Sequence, residues 1–320
     1  MEEINKYREE IDKIDDQLLC LLNRRAFCAQ KIGEIKQQQF SGSKSSQPVV
    51  IYRPEREAQI FRRLLNQSHG LLQNGDVCRL FRQIISTCRA GEARLSIAVL
   101  GPAGTFTEQA ALKHFGTEIC LRYATDISQV FHKVNHRQTD YGVVPFANSS
   151  QGLVAETMCA QWLQQNLPHT QLEPTKSNSE AARLASVDAR LAALCSLQAA
   201  QLYGLQVLSQ CCQDSEDNRT RFVVLSRRDQ VVQPSGEDKV SFLVMKPKQD
   251  WKSFKEAIGR ICADATKTKT QQQALEEQRM CLVEAETHES SKEAEELMQR
   301  FGEIALVKSL GSYPVAIRDE

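Results

Sequence analysis

The first 36 residues place apolar side chains at alternating steps of three and four, the spacing of a heptad seam. The seam positions are Ile4, Tyr7, Ile11, Ile14, Leu18, Leu21, Arg25, Cys28, Ile32 and Ile35. This spacing predicts one helix over residues 4–36, about 50 Å long. Because such a helix exceeds the diameter of a small domain, its own short chain cannot bury the whole seam, and we expect a partner chain.

One seam position, Arg25, is charged where the pattern requires an apolar side chain. An unpaired buried charge is very costly, so Arg25 needs an anion, and no acid lies on the seam itself. Lys36 follows eleven residues later, within roughly 20° of Arg25 around the helix and about 16 Å along it. The two cations are therefore candidates to hold a small dianion. A buried ion pair of Arg25 with Glu57 gives the same pattern and stays open.

Two shorter helices are predicted to complete an all-helical region over residues 1–92. Pro54 suits the first helical position of the second helix, and acidic residues follow it in the first turn. Glu57 lies on the apolar stripe of this helix, and Glu92 extends the stripe of the third. Arg8 lies roughly 100° away from Arg25 around the first helix and would serve a different site, that of a partner. For Arg8, Lys36 and Arg56, a solvated helix face is the simple alternative.

Composition excludes several classes of function. The 320 residues suggest two or three domains, and 40 basic residues balance 40 acidic ones, so no net charge draws the protein to nucleic acid or a membrane. No apolar run is long enough to span a bilayer, and the charged amphipathic start predicts no export signal. We therefore expect a cytoplasmic protein with reduced cysteines. The histidines show no ligand spacing, so no metal site is expected.

The remaining chain predicts two further domains. Residues 93–232 alternate short apolar strands with helices, which is typical of an α/β domain. Residues 236–320 predict a small α+β unit, whose order suggests a ferredoxin-like βαββαβ module. The glycines Gly101 and Gly104 precede a helix and could present backbone N–H groups to an anion, although a plain strand-to-helix turn gives the same pattern.

Several motifs in this order are similar to those of one family. They are Arg8…Ile14-Asp15…Leu21-Leu22-Asn23-Arg24-Arg25, Tyr52-Arg53-Pro54-Glu55-Arg56-Glu57-Ala58, Gly101-Pro102-Ala103-Gly104-Thr105-Phe106-Thr107, Tyr141-Gly142-Val143-Val144-Pro145, Asn148-Ser149-Ser150-Gln151-Gly152, Leu202-Tyr203-Gly204-Leu205, Thr220-Arg221-Phe222 and Leu310-Gly311-Ser312-Tyr313-Pro314. The chain resembles the bacterial P-proteins, bifunctional chorismate mutases and prephenate dehydratases of phenylalanine biosynthesis, over nearly its full length. The resemblance implies an all-α chorismate mutase domain, a shortened α/β prephenate dehydratase-like domain and a ferredoxin-like ACT-like domain.

For the first domain the resemblance implies a mutase site shared between two interlocked chains of a homodimer. Arg8 of the partner and Arg25 would bind the carboxylates of chorismate, with Arg56 as an additional candidate. Lys36 and Glu92 would flank its ether oxygen as catalytic groups. Glu57 would hold the ring hydroxyl. The rearrangement to prephenate needs no cofactor or metal.

For the second domain the resemblance implies a dehydratase with Thr220 as its catalytic threonine. The substrate-binding positions are Thr105, Asn148 and Ser149. The family has a glutamate where this chain has Ala147, and an acid in the helix where this chain has Leu197 and Gln198. A substantial part of one lobe is also missing after residue 154. We therefore expect the dehydratase activity to be impaired or lost.

For the third domain the resemblance implies an ACT module that binds phenylalanine. The closing motif that ends at Pro314 is kept, but Gln249-Asp250-Trp251-Lys252 replaces a Gly-Ala-Leu turn, and Lys269-Thr270-Gln271-Gln272 replaces a Glu-Ser-Arg-Pro loop. We expect phenylalanine feedback to be weak or absent. Two other interpretations remain, namely a fully bifunctional enzyme that makes phenylpyruvate and a non-catalytic interaction protein.

Overall fold

The structure is a computed structural model that describes residues 1–41, 51–148, 159–214, 220–227, 232–265, 268–275 and 279–317. The chain folds as two compact units, which are described separately. The first unit comprises Met1–Ile51 and Arg82–Arg228, and the second comprises Tyr52–Phe81 and Asp229–Glu320.

Three helices open the chain, as the sequence predicts. Helix α1 spans Glu2–Ser41, α2 spans Pro54–Gln67 and α3 spans Asn74–Ala90. Helix α1 is longer than predicted at both ends. Its apolar seam remains open to solvent in the protomer, with side chains such as Ile11 and Leu21 being 55% and 59% exposed.

The rest of the first unit is an α/β fold around a four-stranded sheet. Its elements are β1 Leu95–Leu100, α4 Phe106–Phe115, β2 Ile119–Ala124, α5 Ile127–Asn135, β3 Tyr141–Asn148, α6 Ala160–Asn166, α7 Asn178–Val187, α8 Leu197–Leu202 and β4 Thr220–Leu225. The strand order is β2-β1-β3-β4, with β1 parallel to β2 and β3, and β4 antiparallel to β3. The predicted alternation of strands and helices is confirmed.

Strand β1 lies at the centre of this sheet and is buried on both faces. Ile97, Ala98 and Val99 are each 0% exposed. Successive side chains of a strand point to opposite faces, so helices must cover both sides of the sheet. Ala98 packs in one cluster with Val130 of α5. This burial explains why β1 appears in the sequence as a continuous apolar run.

The C-terminal part of the second unit is a four-stranded antiparallel sheet with two helices. Its elements are β5 Asp238–Met245, α9 Trp251–Asp264, β6 Thr270–Leu275, β7 Met280–Ala285, α10 Lys292–Ile304 and β8 Leu306–Pro314. The strand order is β6-β7-β5-β8, which is the predicted ferredoxin-like arrangement. Phe242, Phe254 and Phe301 from β5, α9 and α10 meet in its core and are at most 1% exposed.

Strand β6 was not recognisable from its composition. The sequence predicts no strand in the polar segment that replaces the family's loop, but residues 270–275 pair with β7 along their whole length. The polar side chains are compatible with a strand because β6 is at the edge of the sheet, where one side of the backbone has no neighbour.

Helix α2 is tied to the ferredoxin-like fold by Arg62. Its guanidinium donates hydrogen bonds of 2.8 Å to the backbone carbonyl oxygens of Ser235 and Glu237. These carbonyls precede β5 directly, and α2 also contacts β8.

Within the described ranges no helix has both the length and the apolar character needed to cross a membrane.

Candidate active site

Lys36 on α1 and Glu92, which follows α3, form the centre of the candidate mutase site. The Nζ atom of Lys36 lies 3.8 Å from Oε2 of Glu92, and the two side chains are 21% and 13% exposed. Gly33 leaves room for Glu92, because a Cβ atom at this position would lie 3.0 Å from the Glu92 Cγ atom. Because this separation is shorter than twice a hydrogen-bond length, one acceptor oxygen can lie about 2.8 Å from both groups.

Arg25 and Arg8 occupy different parts of α1. Arg25 is half-buried, whereas Arg8 is exposed. Seventeen residues separate the two, which corresponds to about 25 Å along the helix axis. An arginine side chain cannot reach across this distance, so the two cannot bind the same small ligand within one protomer.

The remaining predicted mutase residues lie in the first turn of α2, in the second compact unit. Arg56 is exposed and Glu57 is half-buried. Arg53 precedes the helix with extended backbone, and Pro54 is in the first turn, as predicted.

The glycine loop before α4 already has partners for its backbone amides. The Gly101 N–H donates to the Ala124 carbonyl oxygen over 2.9 Å. The Gly104 N–H donates over 2.7 Å to the carboxylate of Glu108, which is 7% exposed. Of the two sequence interpretations, the structure supports the plain turn, because an internal carboxylate occupies the position that an external anion would take.

Glu108 is a residue that sequence reasoning missed. Its carboxylate also accepts a 3.0 Å hydrogen bond from the hydroxyl group of Tyr123. Partial burial and the neighbouring Glu108 carboxylate raise the pKa of Tyr123 to about 12, so the phenol remains a donor at neutral pH. An acid at the start of an apolar helix was the only available sequence signal.

Thr105 has a structural role in the same loop. Its Oγ1 atom donates to the Leu100 carbonyl oxygen over 2.8 Å and accepts the Glu108 N–H, which caps α4. The side chain is buried, at 8% exposure of the residue. A substrate would therefore find only one lone pair of this hydroxyl unused.

Two of the other predicted dehydratase residues, Asn148 and Thr220, lie on the β3–β4 pair. The backbone of Thr220 pairs with that of Asn148 in the antiparallel register. The register shifts between Pro145 and Ala147, a bulge of the kind that re-aims side chains. Thr220 is exposed, and Ser149 lies outside the described residues.

Two family models match the chain. The model described as chorismate mutase type II matches residues 7–93, and the model described as prephenate dehydratase matches residues 97–158 and 158–230. The second match is divided at residue 158, where the sequence analysis places the missing part of the lobe.

Two relatives are similar over nearly the whole chain. A bifunctional chorismate mutase/prephenate dehydratase of Neisseria gonorrhoeae is 33% identical and covers 97% of each chain, and one of Aquifex aeolicus is 32% identical and covers 100% of each. The first alignment runs over 367 positions, whereas this chain has 320 residues, so at least 47 positions contain no residue of this chain.

A solved structure supports the fold over about two thirds of the chain. The prephenate dehydratase of Arthrobacter aurescens, in complex with L-Phe, covers 69% of this chain and 90% of its own at a TM-score of 0.58 and 20% identity. The alignments with the two relatives and the two family matches establish the family at full length. The chain belongs to the bifunctional chorismate mutase/prephenate dehydratase family.

Proposed function

We propose that the chain converts chorismate to prephenate, with Lys36 and Glu92 as the catalytic pair. The observation that carries this proposal is the 3.8 Å separation of these two largely buried side chains. Both groups can donate a hydrogen bond to one oxygen when Glu92 is protonated. The ether oxygen of chorismate requires such a hydrogen-bond donor on each side as negative charge develops on it.

The reaction is an intramolecular Claisen rearrangement, in which the ether C–O bond breaks as a new C–C bond forms. No nucleophile takes part. Catalysis consists of holding the compact conformer of the substrate and stabilising the charge that develops on the ether oxygen. Arg25 binds one carboxylate of the substrate. The roles of Arg56 and Glu57 on α2 stay predictions from the resemblance.

The site is completed by a second copy of the chain, through a homodimer of interlocked α1 helices. Two observations support this part of the proposal. The apolar seam is about half-exposed along its whole length, as Ile14 and Leu18 illustrate at 48% and 50%. Arg8 is too far from Arg25 to share its ligand in one protomer, so the partner's copy supplies the second cation.

The dehydratase step is the part of the family's chemistry that this chain has lost or impaired. The support is the division of the family match at residue 158 and the at least 47 alignment positions without a residue of this chain. A second candidate is an enzyme that retains both activities. It is favoured by the backbone pairing of Asn148 with Thr220, which keeps two predicted dehydratase residues side by side.

One assay separates the alternatives. The purified full-length protein is given chorismate, and prephenate and phenylpyruvate are measured separately. We expect prephenate alone. Formation of both products would show the bifunctional enzyme, and formation of neither would leave the interaction protein. A concentration series by sedimentation tests the dimer, which the substitution Leu18→Asp on the seam is expected to dissociate.

We also propose that the enzyme is cytoplasmic. The support is that all eleven cysteines are free thiols, a state that a reducing compartment maintains. Phenylalanine regulation through the ferredoxin-like domain is proposed to be weak or absent, and its test is given in the Discussion.

A further inference from the structure

The last two turns of α3 are docked onto the turn between α4 and β2. Arg89 is 6% exposed, and its Nη2 atom donates a 2.6 Å hydrogen bond to the carbonyl oxygen of Phe115. Ser86 is 0% exposed, and its Oγ atom accepts the N–H of Glu118 over 3.2 Å. Both contacts join the predicted mutase region to the dehydratase-like domain.

Gly116 makes this close approach possible. It ends α4 with φ at 80° and ψ at −179°, a conformation that only glycine adopts readily. A Cβ atom at this position would lie 2.4 Å from the Cβ atom of Ser86. Any side chain would therefore force α3 away from the turn.

The docked segment leads directly to the catalytic pair. The backbone carbonyl oxygen of Arg89 accepts the N–H of Glu92 over 2.9 Å. Arg89 therefore links two contacts: its guanidinium is fixed to the carbonyl of Phe115, and its own carbonyl fixes the backbone of Glu92. The Glu92 carboxylate then lies beside Lys36.

We propose that the dehydratase-like domain is a scaffold for the mutase reaction, with Arg89 as the positioning residue that holds Glu92 against Lys36. The proposal rests on the proposed mutase function and goes beyond it by giving the second domain a role that does not depend on dehydration. A misplacement of about 1 Å in a catalytic group is enough to lower a rate about 100-fold, so the fixed backbone of Glu92 matters for the reaction.

The test compares kcat and KM for chorismate in full-length variants. Arg89→Ala is expected to lower kcat by about 10- to 100-fold while KM changes less than about threefold, because Arg89 acts on the catalytic pair rather than on substrate carboxylates. Arg89→Lys is expected to recover part of the loss. The matched control is Arg94→Ala, since Arg94 also contacts this turn, through Glu118 at 3.1 Å, but is 67% exposed. It is expected to leave kcat unchanged.

A double-mutant cycle distinguishes positioning from general damage. In a Glu92→Ala background, Arg89→Ala is expected to lower kcat no further, because the group that it positions is gone. Two results would overturn the proposal. One is that Arg89→Ala lowers kcat by the same factor in both backgrounds, and the other is a folded Arg89→Ala variant with unchanged kcat. If Arg89→Ala does not fold, Ser86→Ala replaces it in the same cycle, with the same two outcomes. A wild-type protein without mutase activity would instead contradict the proposed function.

Discussion

The ammonium group of Lys36 lies 3.8 Å from a carboxylate oxygen of Glu92, although 56 residues separate the two in the chain. One belongs to the penultimate turn of α1 and the other follows the last turn of α3. An ammonium group donates hydrogen bonds, whereas a carboxyl group donates only when it carries a proton. In the proposed mechanism, the mutase reaction therefore depends on a protonated Glu92.

The first prediction concerns pH. A neutral Glu92 donates to the ether oxygen, whereas an ionised one repels the charge that develops there, so mutase kcat/KM is expected to fall as pH rises. The variant Glu92→Gln carries an amide that donates at every pH and is expected to give a flat profile. A flat wild-type profile from mildly acidic to alkaline pH would contradict this role of Glu92.

The second prediction concerns Arg25. Removing one partner of a desolvated charge pair costs about 2–5 kcal/mol, so Arg25→Ala is expected to lower mutase kcat/KM by about 30- to 5,000-fold. The neighbouring Arg24 is exposed on the same helix, and Arg24→Ala is the control with the same change of charge. Retention of activity in Arg25→Ala, measured as prephenate formation, would refute the assignment of the carboxylate site.

The third prediction is that phenylalanine does not stabilise the protein. The carboxylate of Asp250 accepts the N–H groups of Lys252 and Ser253 over 3.1 Å each, so the amides at the start of α9 already have an anion. Trp251 packs on Phe254 at a ring distance of 5.4 Å and fills the same turn. A thermal melt with and without millimolar phenylalanine checks this. Tryptophan and leucine are the control ligands, and a clear shift with phenylalanine alone would establish a regulatory site.

The fourth prediction concerns the hydrogen bond between Tyr123 and Glu108. The folded protein raises the pKa of Tyr123 to about 12, through partial burial first and the Glu108 carboxylate second. The unfolded chain has a tyrosine pKa of about 10, so the folded state holds this proton more tightly. Its contribution to stability is complete below pH about 10 and is lost as pH rises to about 12.

The measurement is the free energy of unfolding of the wild type and of Tyr123→Phe, by urea titration at several pH values. The wild type is expected to be more stable at pH 8, and the difference is expected to narrow between pH 10 and 12. A difference that stays constant over this range would mean that the phenol does not titrate as the structure indicates.

The sequence alone was sufficient where side-chain spacing decides the type of element. The steps of three and four predicted α1, because residues at those intervals share one helix face. The apolar run of β1 and the helices around it predicted an α/β sheet, because a central parallel strand is buried on both faces. The order of elements after residue 236 predicted the ferredoxin-like fold, although β6 carries no apolar signal and needed its partner β7 to become a strand.

Tertiary structure decided what depends on contacts between distant residues. Gly104 was compatible with an anion site, and only the fold shows that Glu108 occupies its amide. Nothing in the local sequence marks Arg89 as different from other arginines near helix ends, because its partner, the Phe115 carbonyl, is a backbone atom that any sequence provides. Periodicity thus determined which side chains share one helix face, but not whether that face is buried, since the α1 seam is about half-exposed. Spacing could not relate Glu92 to Lys36, because helix ends carry no spacing rule that relates them to each other. The resemblance implied that the two residues act together, and the folded path of the chain sets their 3.8 Å separation.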